Sequence, residues 1–458
     1  MSTSTAASQA ATAPTEAPRT LTADVPRTLG FLDQLGLWAN LGISLLIPVT
    51  ASFLVPAGQS FAASVTAILL GSAVGCLLLG LVARAGAQTG APTMVLLRGL
   101  FGRRGSYLPT ALNLAQCVGW ATYEVWIISV AAHAVYSPVP RWVYVLAAGA
   151  LATGMALRPL GSVRLLKRIA VVAVLACTAY FFYSALRRSS GAPTGGSWTG
   201  FWTSTDLVIA LPVSWIPLVA DYSRFSRTGR AAFTGTFVGY FASSAAFFLL
   251  GVLALRAYAV GPGNDVIGAL LAVPAGALAL CILAADEVDE AFANIYSTAT
   301  SAQNVLPRAD RRVLAVAVGA VATVFALILD GNAYEPFLLL IGAVFVPLAA
   351  TFLVDYYLLR RGEWDVSAAA PRRWVMGLPW LAGFAAYQVV VPSQLEQWPA
   401  WGTFWTQVQS GLGVPATNGF SASLVSFVVA GVLAVAGGSA ERAWRRRDRS
   451  GRTAGPAR

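Results

Sequence analysis

Apolar runs of about 20 residues follow one another along almost the whole chain, separated by short breaks that contain arginine, glycine or proline. A helix of that length crosses a hydrocarbon core about 30 Å thick. The pattern predicts about twelve spans, at residues 30–56, 60–83, 107–135, 140–157, 161–186, 205–223, 231–255, 274–300, 312–329, 336–359, 374–391 and 417–438. Together they make one membrane domain over residues 28–440. Residues 1–27 are rich in Ala, Ser and Thr without an apolar core, which predicts a disordered tail and not a signal peptide. Residues 441–458 form a basic tail.

Two spans are interrupted alike. The first, WANLGISLLIP, contains Gly42 and Pro48; the sixth, LPVSWIPLVADYSRF, contains Pro212 and Pro217. Glycine and proline are common in membrane helices generally, so the matched position carries the argument. Interrupted spans at the same place in each half mark the binding site of carriers built from inverted repeats. The spacing predicts a five-plus-five repeat with two further helices at the C-terminus.

Composition agrees: 57% of residues are hydrophobic and only 11% charged, against roughly 25% charged in a soluble domain. The net charge of +11 does not point to nucleic acid, because the arginines sit in alternate connections. Arg84, Arg98, Arg103 and Arg104, then Arg158, Arg164, Lys167 and Arg168, then Arg224, Arg227 and Arg230 fall on one predicted side, as do Arg308, Arg311, Arg312, Arg360, Arg361, Arg372 and Arg373. The positive-inside rule then puts both termini in the cytoplasm of a cell-membrane protein. Arg141, Arg187, Arg188 and Arg256 are exceptions.

The chemistry concentrates at mid-depth. Asp286, Glu287, Asp289 and Glu290 interrupt the apolar eighth span; facing lipid, four charges would cost about 10 kcal/mol or more. They must face protein, water or a cation, and four close carboxylates cannot all stay ionised without one. Spacing of i, i+3, i+4 puts Asp286, Asp289, Glu290 and Asn294 on one stripe, with Glu287 at its edge. In the third span Trp120 and Glu124 stack on one helical face, an indole for a flat ring beside a carboxylate for its N–H edge. That pair suits a 4-aminopyrimidine better than a carbonyl edge; packing of Trp120 and pairing of Glu124 with another helix are the alternatives. Asp221 and Arg224 are spaced for an ion pair at the end of the sixth span. His133 is the only histidine and has no second ligand nearby, and Cys76, Cys117, Cys177 and Cys281 lie within spans without disulfide or zinc spacing.

The stretches GAPTMVLLRGLFGRRGSYLP leading into VGWATYEVW, then PVSWIPLVADYSRF, then DEVDEAFANIYSTATSAQN resemble the nucleobase/cation symporter family of cytosine, purine, allantoin and hydantoin permeases, over about residues 28–440. The wording is most similar to the branch assigned to cytosine or hydroxymethylpyrimidine uptake. The resemblance implies a leucine-transporter-like inverted-repeat core, a ring stacked on Trp120, an aromatic of the sixth helix, Trp215, beside Ser214 on its other face, and Asn294 reading its edge. The family commonly has an amide where Glu124 stands, a departure that favours an amino-bearing ring. Sodium-coupled relatives hold the ion with a backbone carbonyl and two hydroxyls of the eighth helix and with carbonyls at the first-helix break. The matching positions are Ala285, Val288 and Asp289, with Gly42 at the break, so one hydroxyl is missing and the other has become a carboxylate. Proton coupling through Asp289, with Asp286 and Glu290 as neighbours, then competes with Na⁺. The expected partners are a small nucleobase-like molecule and the bilayer, with no cofactor besides H⁺ or Na⁺. A purine, allantoin or hydantoin permease is the alternative within the family. An intramembrane aspartyl enzyme is the alternative outside it, without HExxH or a nucleophile elbow to support it.

Overall fold

The computed structural model describes residues 17–21, 25–54, 59–188, 195–258, 265–329, 331–392, 395, 398–415 and 419–453. Most of the expected N-terminal tail therefore lies outside the described residues, as do the side chains of Arg164, Lys167 and Arg168 and of the basic tail beyond Trp444.

The chain is all-helical. Its helices are α1 (Phe31–Asn40), α2 (Leu46–Ala51), α3 (Phe61–Thr89), α4 (Thr93–Phe101), α5 (Tyr107–Val135), α6 (Arg141–Leu157), α7 (Pro159–Arg188), α8 (Phe201–Ser214) and α9 (Val219–Ser223). They continue as α10 (Gly229–Tyr258), α11 (Asp265–Leu271), α12 (Gly276–Asp286), α13 (Val288–Ala302), α14 (Arg311–Ile328), α15 (Tyr334–Leu353), α16 (Gly377–Val390), α17 (Pro399–Gly411) and α18 (Ala422–Thr453). Every predicted span coincides with one helix or one broken pair. Five described helices are long and apolar enough to cross a membrane by themselves; other spans are broken, shorter, or carry polar side chains.

The first, sixth and eighth spans are the broken ones, made of α1/α2, α8/α9 and α12/α13. Two details correct the expectation from proline. Pro48 lies inside α2, and the first break is Leu41–Leu45; Pro212 lies inside α8, and the sixth span breaks at Trp215–Leu218, which contains Pro217. Proline removes one backbone donor, but the sixth span leaves the helix three residues after Pro212 and the first breaks before Pro48.

Glycines bring the halves of the core together. A Cβ on Gly75 of α3 would stand 2.3 Å from Pro212 Cγ of α8. A Cβ on Gly42 would stand 2.2 Å from Ser243 Oγ and 3.2 Å from backbone atoms of Tyr240 and Ser244 on α10. Gly42 thus lets the break lie directly on α10. Gly42→Ala is expected to cost about 1–3 kcal/mol by overpacking, read as a lower melting temperature of the purified protein and recovered in part by Ser243→Gly.

The helices form two bodies. α1, α2, α3, α8, α9 and α10 pack on one another, and α5, α6, α13 and α14 make a second group against which α12 rests. Near the arginine-rich ends, residues before α1 touch both. The Arg19 carbonyl accepts from Gln303 Nε2 (2.6 Å) and Arg311 N (3.0 Å), while Leu29 pairs with Phe225 and Arg227 through backbone bonds of 2.9 Å each.

Candidate functional site

The three breaks meet where the two bodies face each other. At the first break the helix ends at Asn40 and resumes at Leu46, which leaves backbone donors without helical partners. Glu287, in the kink between α12 and α13, supplies the acceptors: its carboxylate takes the Ser44 hydroxyl at 2.6 Å and the Leu45 N–H at 2.7 Å. Asn40, two residues before Gly42, donates from Nδ2 to Asp289, a short contact, and reaches Asp286 at 3.4 Å.

The acidic stripe presents two faces, each a pair of residues three apart. Asp286 and Asp289 face Asn40, whereas Glu287 and Glu290 approach Glu124 of α5. One oxygen from each of Glu124, Glu287 and Glu290 lies within 4.8 Å of the other two. All five carboxylates are buried, and none forms an ion pair with Lys, Arg or His among the described residues.

Beside the glutamates lies a narrow cavity lined by Ser44, Leu46, Ile47, Trp120, Leu211, Ser214, Trp215, Tyr240, Glu290 and Asn294. Its volume is about 10 Å³, near that of one water, so its walls stand closed. A groove of about 500 Å³ lies elsewhere, between α3, α15 and α18, but its wall is almost wholly apolar and offers no means of orienting a polar ring. Aromatic groups brace both sides of the small cavity. Trp215 packs edge-on to Trp38 with centroids 5.8 Å apart and lies 6.3 Å from Tyr240, while Trp120 meets Tyr334 at 6.0 Å and Phe337 at 5.3 Å.

Of the residues singled out from sequence, Trp120, Ser214, Trp215, Glu290 and Asn294 come together in the cavity wall. Glu124 is outside that lining and beside Glu290. The Ser214 hydroxyl is taken by Leu211 O (2.6 Å), and its carbonyl accepts from Gln116 (2.9 Å). Asn294 Nδ2 donates to Glu290 O at 3.1 Å. The Ala285 side chain lies in an outer groove with Ile128, Tyr144 and Val288, outside the cavity wall. The expected Asp221–Arg224 ion pair is not formed. Asp221 Oδ1 instead accepts the Thr93 N–H (3.0 Å) at the start of α4, and Arg224 turns to Tyr296 OH (3.2 Å). His133 bonds through Nδ1 with Val139 O at 3.0 Å, away from the site; Cys281 is exposed, and the other three cysteines are buried.

Sequence reasoning missed Trp38, Asn40, Ser44 and Tyr240. The available signal was the polar pair Asn40 and Ser44 flanking Gly42 within an apolar span.

The arrangement fits a cation on its own terms. Asn40 Oδ1, Asp286 Oδ2 and Asp289 Oδ1 are buried and receive no hydrogen bond, and oxygen donors of this kind suit a hard cation. Broken helices around a closed polar centre at mid-depth define an alternating-access membrane carrier.

Comparison with known proteins agrees. Residues 24–378 match the family described as permease for cytosine/purines, uracil, thiamine, allantoin. A putative purine-cytosine permease, YxlA, of Bacillus subtilis (strain 168) is 25% identical over 362 residues, covering 73% of this chain and 78% of the relative. The cytosine permease of Escherichia coli (strain K12) is 26% identical over 304 residues, 63% of this chain and 70% of that one. The fold superposes on Mhp1, a nucleobase-cation-symport-1 family transporter in a closed conformation with bromovinylhydantoin bound, with TM-score 0.70 at 18% identity over 91% of this chain and 99% of that one. A Na⁺-coupled sialic acid symporter superposes with TM-score 0.61 at 11% identity over 90% of each chain. The chain belongs to the nucleobase-cation symport family of permeases: it is a multi-pass membrane transporter with a leucine-transporter-like fold, and not an enzyme.

Proposed function

We propose that this permease imports an aminopyrimidine, cytosine or hydroxymethylpyrimidine, by symport with H⁺ or Na⁺. The observation that carries the reading is the cavity whose wall holds Trp120 and Trp215 together with Glu290 and Asn294. Two indoles suit the faces of a flat ring, a carboxylate suits an amino or ring N–H, and Asn294 offers both a donor and an acceptor. Uracil-like and hydantoin-like rings lack an exocyclic amine and flank a ring N–H with carbonyls, whose lone pairs would lie against the glutamates, which disfavours them. The cytosine permease among the relatives supports the same class.

Asn40, Asp286 and Asp289, with the Ala285 carbonyl, would hold the coupling cation, whose charge offsets the buried aspartates. Because Asn40 lies at the first break and the aspartates on α12 and α13, that contact ties the two bodies together. Glu287 makes a second tie through Ser44 and Leu45. Loss of the cation then weakens one clamp of the closed state, as alternating access requires. The transporter unit in this reading is residues 28–440, with both termini and the arginine-rich connections in the cytoplasm.

The test is uptake of radiolabelled cytosine into proteoliposomes under imposed H⁺ or Na⁺ gradients, with hydroxymethylpyrimidine, uracil, adenine and allantoin as competitors. Competition by the aminopyrimidines, driven by one of the two ions, is expected. Trp120→Ala should weaken binding about 5- to 150-fold, since stacking of a base on an aromatic side chain is worth about 1–3 kcal/mol. Absence of cytosine uptake together with uptake of radiolabelled allantoin or adenine would overturn the substrate class.

A further inference from the structure

The three glutamates have a further consequence for the ring itself. We infer that the protein selects rings that carry a positive charge, and that Glu124, Glu287 and Glu290 receive it. The inference rests on the proposed ring-binding role of the cavity and specifies its substrate class.

The argument is an accounting of donors. Glu287 already takes the Ser44 hydroxyl and the Leu45 N–H. Glu124 is 1% exposed, and neither of its oxygens accepts from an N–H or a hydroxyl group; Glu290 Oε1 accepts from none either, so the polar neighbours of Glu124 are the carboxyl groups of Glu287 and Glu290. A buried carboxylate without a donor is costly, and three within 4.8 Å of each other raise the cost through their mutual repulsion. A ligand that brings both N–H donors and positive charge relieves all of this at once, whereas a neutral ring supplies donors only.

The surroundings favour an organic cation over a metal ion. Glu290 opens into a wall whose other large members are Trp120, Trp215 and Tyr240, and aromatic faces attract cations and flat rings alike. The separate group of Asn40, Asp286 and Asp289 already has the unsatisfied oxygens that a hard ion needs. The two acidic groups therefore divide the labour, with aspartates for the coupling ion and glutamates for the charge on the ring.

The test compares binding of a permanent cation, 4-amino-1-methylpyridinium, with its neutral isostere 4-methylaniline. Purified full-length protein is followed by tryptophan fluorescence and by shift in melting temperature, with cytosine and uracil alongside. The wild type should bind the cation at least tenfold more tightly than the isostere. Glu124→Gln and Glu290→Gln should each erase most of that preference, whereas Trp120→Ala should weaken both ligands. The wild-type comparison stands by itself if a variant fails to fold. Equal binding of the two isosteres would overturn the inference while cytosine binding left the aminopyrimidine reading intact. Absence of binding by both cytosine and the pyridinium would overturn both. Stabilisation by Na⁺ or Ca²⁺ alone that is lost in Glu124→Gln would assign the glutamates to an inorganic ion instead.

Discussion

Asp289→Asn is expected to abolish concentrative uptake while leaving ring binding within about threefold of wild type. Each charge driven by 100 mV is worth about 2.3 kcal/mol, which supports an accumulation ratio of about 50; the variant should fall to a ratio of about 1. The substitution keeps size and an oxygen able to accept from Asn40 Nδ2, and replaces the other oxygen by an uncharged NH₂, removing the charge proposed to offset a coupling cation. Counterflow, which needs no net driving ion, separates loss of coupling from loss of folding: it should persist in the variant. A variant that still accumulated cytosine about 50-fold would remove Asp289 from the coupling role.

Asp355→Ala should produce the largest loss of stability, about 3–5 kcal/mol, as expected when one partner of a buried ion pair is removed. Asp355 is 0% exposed and accepts two bonds from the Arg373 guanidinium, at 2.7 and 2.8 Å, and one from Trp364 Nε1 at 2.8 Å. Arg373 is 4% exposed, also meets Glu441 of α18 at 2.7 Å, and donates to Gly99 O of α4 at 3.0 Å. The network thus fastens the end of the tenth span to α4 and α18. Arg360 approaches Glu441 at 3.6 Å with 27% of its side chain exposed, and a partly exposed pair of that kind is worth about 0–1 kcal/mol. Melting of the purified variants should separate them clearly, with Arg360→Ala near wild type. Similar melting temperatures for Asp355→Ala and wild type would contradict the assigned role of the network.

The helical order was legible because the period and length of apolar runs depend only on the chain. Tyr107–Val135 coincides with the predicted third span, and the first and sixth interruptions mark real breaks. The partners across those breaks were not legible. Helical spacing does pair Asp286 with Asp289 and Glu287 with Glu290 across the single residue between α12 and α13, but it names no partner on another helix, and Asn40, Ser44 and Glu124 are those partners. Glu287 consequently moved from the edge of a stripe to the centre of the site. At the first break Asn40 and Ser44 flank a non-helical stretch, where spacing predicts no face at all. The Asp221–Arg224 pair failed for a similar reason: Thr93, 128 residues away in sequence, offered Asp221 a backbone donor.

The tightness of the closed cavity also sets a kinetic rule for this carrier. A ring cannot enter a space of about 10 Å³, so association waits for molecules whose walls have already parted. The apparent dissociation constant is then the intrinsic one divided by the open fraction, and a population that is 1% open would bind about 100-fold more weakly than its contacts permit. An antibody fragment that holds the walls bearing Trp120 and Trp215 apart would sharpen substrate affinity while stopping transport.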